Sequence, residues 1–97
     1  MNQELFLQIK IEFKKHITIR GLDKMSWKSE VQFIIKKICP IGEKFNLYDV
    51  YKYRELLQNL YPNNNHIEDK IRQTLQYLRD DGIIEFTNNY GEYQRIK

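Results

Sequence analysis

Apolar and polar positions alternate with two different periods along this chain, and the change of period marks its elements. The clearest stretch is Asn63 to Phe86. Ile67, Ile71, Leu75 and Leu78 recur at helical spacing and form one face of an α-helix. Asn65 is placed to cap it, with Glu68 three residues later completing a capping box. Gly82 follows Asp80 and Asp81 as a stop signal. The period then falls to two in Ile83-Ile84-Glu85-Phe86, a half-buried strand. Opposite the apolar stripe lie His66, Asp69, Gln73 and Gln76, with Lys70, Arg72 and Tyr77 at its edges. A polar helix face is most simply a solvated one.

The N-terminal stretch reads differently. Leu5, Leu7, Ile9, Ile11 and Phe13 alternate with polar residues, as in a strand. Lys14-Lys15-His16 can turn and Ile17-Thr18-Ile19 is β-branched, so a hairpin ending at Gly21 is expected over residues 1–25. Ser26 then caps a helix from Trp27 to about Ile38, with Trp27, Val31, Ile34, Ile35 and Ile38 inward. Lys36 and Lys37 suit its negative end, and Pro40 stops it. Trp27 is expected as a core anchor and Cys39 as a small buried thiol.

Residues 40–44 form a turn. Asn46 caps a second helix, with Asp49 at its third position and Phe45 and Val50 placed for a hydrophobic staple. This helix is expected to run to about Tyr61, burying Val50, Tyr51, Tyr53 or Arg54, Leu57 and Leu60. Pro62 and three Asn turn the chain into the third helix. After Phe86, residues 87–92 form a loop and Tyr93 to Ile96 return as a strand. Three helices followed by a hairpin make a winged helix-turn-helix over residues 26–97, an α+β fold with an N-terminal β segment. In that fold the third helix enters the major groove of duplex DNA.

Composition narrows the reading. A chain of 97 residues makes one domain, which buries about 60–70% of its unfolded surface. No apolar run reaches membrane-span length and the start lacks a signal peptide's pattern, so a cytoplasmic location is expected. A lone Cys excludes a disulfide framework and a thiolate zinc site. Net charge is +3, and the surplus is uneven. Residues 1–44 hold nine Lys and Arg against five acids, while residues 45–97 hold seven against eight. Phosphate affinity is therefore assigned to Lys10, Lys14, Lys15, Arg20, Lys24, Lys28, Lys36 and Lys37, and specificity to the nearly neutral third helix. Glu12-Phe13-Lys14 matches half of a metal-dependent nuclease motif on a strand, but only Glu4 precedes it as a further carboxylate. No cofactor or metal is implied.

Three strings go further: Phe45-Asn46-Leu47-Tyr48-Asp49-Val50-Tyr51, then Tyr61-Pro62-Asn63-Asn64, then Lys70 to Phe86, KIRQTLQYLRDDGIIEF. They closely resemble the C-terminal winged-helix domain of the DpnI-like, Dam-replacing type II restriction endonucleases. The likeness covers about Trp27 to Ile96, with Tyr93 and Arg95 as the closing Tyr-Arg pair. It implies sequence-specific binding of double-stranded DNA, in some members with reading of N6-methyladenine in a short palindrome. In that family a separate N-terminal PD-(D/E)XK domain cuts. This chain holds the winged helix without that nuclease domain, and its wing, FTNNYGEY, is longer and less basic than the family's Gly-Arg-Gly type.

The chain is therefore expected to be no enzyme by itself but a specificity module, part of or derived from a type II restriction endonuclease. A stand-alone transcription regulator of the same fold and a protein-interaction winged helix are the alternatives. Gln73 suits the paired contact to adenine N6 and N7. His66 and Lys70 suit phosphate or guanine acceptors. Asp69 suits cytosine N4 or the helix's own first turn. Asn64, Asn65, Arg72, Lys36, Lys37 and the wing residues Asn88, Asn89 and Tyr90 complete the candidate DNA contacts. Tyr90 or Tyr77 can wall a base methyl, while Arg79 and Asp80 are expected to be structural.

Overall fold

A computed structural model describes residues 3–20 and 26–97. Its first element overturns the β reading of the N-terminus. Residues Gln3–Arg20 form a single helix, α1. Ile9 and Phe13 are buried and Phe6 and Ile17 are partly buried, which is helical spacing. Leu5, Leu7 and Ile11 stay about half exposed. With apolar side chains on both faces, the helical period does not stand out in the sequence. The intervening Gln, Lys and Glu are good helix formers, and packing selects the helix. Phe6 stacks on Tyr53 at 5.0 Å between ring centroids. His16 stacks on Phe33 at 4.3 Å, and Phe13 meets the same ring edge-on at 5.9 Å. The nuclease reading falls with the strand: Glu12 lies on a helix and pairs with Lys37 at 3.2 Å. Gly21 and Lys24 lie outside the described residues.

Helix α2, Trp27–Ile38, starts as expected at Ser26, in a capping box closed by Ser29. Val31, Ile34 and Ile35 are fully buried, and Trp27 stacks on Tyr61 at 4.5 Å. The pattern gave no warning of Glu30, which is also fully buried. One of its oxygens accepts from the Ser29 hydroxyl at 2.8 Å and the other lies 3.5 Å from His16 Nε2. Cys39 is buried at the helix end, and burial pushes its thiol above the ordinary range.

The turn after Pro40 leads into a strand that the sequence reading lacked, β1, Lys44–Asn46. Asn46 then caps α3, Leu47–Tyr51, in a capping box with Asp49. The expected single second helix is broken here. Tyr53 turns fully inward, its N–H bonding back to the Val50 carbonyl, and α4 restarts over Arg54–Leu60. Leu56 and Leu57 are buried, whereas Arg54 is exposed.

Helix α5, Ile67–Asp80, buries Ile67, Ile71, Thr74, Leu75 and Leu78. Gly82, at φ +78°, ends it. Its N–H reaches the Arg79 carbonyl while that of Ile83 reaches Leu78, the paired bonds of a Schellman stop. Strands β2, Ile84–Phe86, and β3, Glu92–Arg95, follow. The sheet is antiparallel in the order β1-β3-β2, with Phe45 and Phe86 both opposite Tyr93. Arg95 fastens β3 to α2 by donating to the Cys39 carbonyl at 2.8 Å. Helix α2 packs against α5, and α1 packs against α2. The winged-helix core is as expected, with five helices among the described residues and a third strand completing the wing's sheet.

Candidate nucleic-acid interface

The buried stripe of α5 turns its other face outward. Asn65, His66, Asp69, Arg72, Gln73, Gln76 and Tyr77 are all exposed, with Lys70 partly so. How this face is aimed depends on the turn before it. Gln58 of α4 donates its side-chain amide to the carbonyls of Tyr61 at 3.1 Å and Asn64 at 3.0 Å. Asn64 Oδ1 in turn accepts from the His66 N–H at 2.7 Å. Arg54 and Glu68 form an ion pair from α4 to α5. Two helices and their turn are thereby held as one unit.

The expected Asn65–Glu68 capping box is absent. His66 occupies the cap position without a side-chain bond, Glu68 is engaged by Arg54, and Asn64 supplies the local bond instead. The Asx turn one residue earlier satisfies the entering backbone, which leaves Asn65 exposed. Gln58 was missed altogether, since nothing in a mid-helix Gln announces a partner six residues ahead. Gln58→Ala should cost about 1 kcal/mol by opening this turn, read as a lowered denaturation midpoint.

Along the first half of α5, Asn63, Asn64, Asn65, His66, Asp69, Lys70 and Gln73 line one open hollow of about 580 Å³. Lys70 Nζ donates to Gln73 Oε1 at 3.0 Å, leaving the Gln73 amide nitrogen and a second lone pair outward. His66 and Asp69 approach at 3.9 Å, both about four-fifths exposed, so their pairing is weak. Further along the helix, Arg72 and Gln76 share a second hollow of about 430 Å³ with Phe86, Asn88 and Tyr90 of the hairpin. Arg72 donates to the Tyr90 hydroxyl at 3.5 Å. Tyr77 does not line this hollow. Arg79 bonds Asp80 and lies 4.4 Å over the Phe86 ring, the structural role expected of it.

The wing is built on Glu92, whose carboxylate accepts from Thr87 at 2.7 Å and Asn89 at 3.1 Å. Asn88, Asn89 and Tyr90 are all exposed at the tip, and Asn89 is also the turn former. The Thr87 hydroxyl foremost, and then Asn89, hold the Glu92 carboxyl below the usual carboxylate range. A lowered value means the wing's order is present above the ordinary carboxylate range and is lost as pH falls through the folded value. Acidification should therefore lower the protection factor of the Asn89 amide, the slowing of its exchange relative to an unfolded chain at the same pH, before those of the rest of the domain. Glu92→Gln should remove that pH dependence.

Lys36 and Lys37 do not join these residues. They are exposed at the end of α2, and Lys37 is held toward α1 by Glu12, with its ammonium 5.4 Å over the Phe33 ring. The structure thus gathers Asn64, Asn65, His66, Asp69, Lys70 and Gln73 on one end of a face, and Arg72 with Asn88, Asn89 and Tyr90 on the other. Gln76 joins the second group and was not among the expected contacts.

Residues 23–95 match the family model of the Dam-replacing HTH domain. The chain belongs to that family. The helix-turn-helix that names this family is a DNA-binding element. The match takes in the turn, α5 and the wing, and leaves all of α1 outside it. Among the described residues no helix is long and apolar enough to cross a membrane.

Proposed function

We propose that this chain is a sequence-specific double-stranded DNA-binding module, the specificity element of a type II restriction endonuclease whose cutting domain is a separate unit. The observation that carries this reading is the rigid presentation of one helix face rich in amide and charged groups. Its far end, at Arg72 and Gln76, shares one hollow with the wing residues Asn88, Asn89 and Tyr90. With α5 in the major groove, the outward amide of Gln73 meets adenine N7 and N6. Asp69 accepts from cytosine N4, and Lys70 and His66 reach guanine acceptors or phosphate. Arg72 and the wing residues Asn88 and Tyr90 follow the backbone beside the groove.

The hollow between wing and helix supports a reading of N6-methyladenine. Phe86 and Tyr90 supply apolar surface for a methyl group, and Arg72 and Gln76 supply polar atoms beside it. Selection from random duplexes, with and without adenine methylation, tests both levels. Enrichment of a short palindrome supports the module, and enrichment only when methylated supports the finer reading. Equal retention of matched methylated and unmethylated sites removes methyladenine from the account.

Lys36 and Lys37 remain candidates for phosphate contact at a distance from α5. Replacing both with Ala should weaken all duplexes about equally and flatten the salt slope by roughly one unit per lost contact. A changed base preference at unchanged slope would contradict that role. One feature favours a second reading, a protein-binding winged helix: α5 sets Glu68, Asp69 and Asp80 against Lys70, Arg72 and Arg79, with no basic surplus. The salt dependence of binding separates the two.

A further inference from the structure

Helix α1 leaves apolar side chains outside the core. Leu7 and Ile11 are each 51% exposed, four residues apart on the face turned away from Ile9 and Phe13. They belong to a longer seam. Glu4, Leu7, Ile11, Lys14 and Thr18 follow one another at spacings of three, four, three and four, the heptad pattern of a helix that pairs with another. All five are exposed. Its first four residues run acid, apolar, apolar, base, and Thr18 follows them.

That order is self-complementary. Set a second copy of α1 antiparallel about a two-fold axis level with residue 9. Leu7 then meets Ile11 of the other copy, and Glu4 meets Lys14 of the other copy, each contact occurring twice. A parallel pair would instead oppose Glu4 to Glu4 and Lys14 to Lys14. We propose that the outer face of α1 is a homodimer surface, paired antiparallel with the same face of a second copy of this chain. Two short helices bury less than the roughly 800 Å² per partner of a standard interface, so the dimer is weak by itself. The proposal concerns α1 alone and stands whether or not the DNA reading holds.

Sedimentation equilibrium of the full chain at high micromolar concentration tests it, with two charge variants and their mixture. The wild type should dimerise. Glu4→Lys alone and Lys14→Glu alone should each be monomeric, because each opposes like charges twice. An equimolar mixture of the two variants should regain the dimer, since each chain then opposes only the other's charge. Both positions are exposed, and circular dichroism checks that each variant remains folded. A monomeric wild type overturns the proposal. So does a dimer indifferent to both substitutions, or a mixture that stays monomeric. Leu7→Cys mixed with Ile11→Cys tests the alignment. The mixed disulfide should predominate over either homodisulfide, and the reverse result rejects the antiparallel register.

Discussion

Phe13→Ala should destabilise the whole domain by about 3–5 kcal/mol, the cost of emptying a fully buried aromatic site. Phe13 is 2% exposed and packs on Phe33 of α2, so its loss opens a cavity between the first two helices. The figure is a large share of the roughly 5–15 kcal/mol that holds a domain together. Were residues 1–25 a separable segment, the same substitution would leave the unfolding of the rest nearly unchanged. A denaturant titration followed by tryptophan fluorescence decides the matter, because Trp27 lies in α2 and reports on the winged-helix core. An unchanged midpoint would show that α1 is dispensable to it.

Gln73→Ala should leave folding intact and cost about 1–3 kcal/mol of discrimination at one base pair. The residue is exposed opposite Ile71, Leu75 and Leu78, and surface changes of this kind stay within about 0.5 kcal/mol of stability. Its contact with Lys70 sharpens the expectation. Lys70 takes one lone pair of Oε1, which leaves the amide nitrogen and the remaining lone pair of this exposed side chain for a base edge. Lys70→Ala should therefore lower discrimination at the same base pair in addition to weakening binding generally. Affinities for the preferred duplex and its single-base variants give the comparison. Discrimination unchanged at every position would remove Gln73 from the readout and leave Asp69 and Lys70 as the candidates.

What the sequence disclosed depended on whether one local period had a single reading. Ile67, Ile71, Leu75 and Leu78 fit only a helix, and Gly82 fits only its end; both were legible. So were the Ser26 and Asn46 caps, because a capping box is a contact within four residues. Residues 5–13 satisfied both periods in part. Only the partners Tyr53 and Phe33, far along the chain, settle which face of α1 is inward. Strand β1 is three residues long and exists because Tyr93 pairs with Phe45 across the sheet. The break at Tyr53 likewise comes from burial of that ring, not from a breaker residue. At the candidate interface, the exposed face of α5 was legible as spacing. The roles of Asn64, Gln58 and Glu92 were not, since each depends on a turn whose geometry the sequence leaves open.

The central claim is that this chain binds duplex DNA through contacts to the phosphate backbone as well as to bases. Its most direct test is a titration of the full chain against the duplex preferred in selection, at 50 and 200 mM salt. With about four phosphate contacts, affinity should fall roughly a hundredfold between the two. Absence of binding at either salt, or binding that does not change between them, would contradict it.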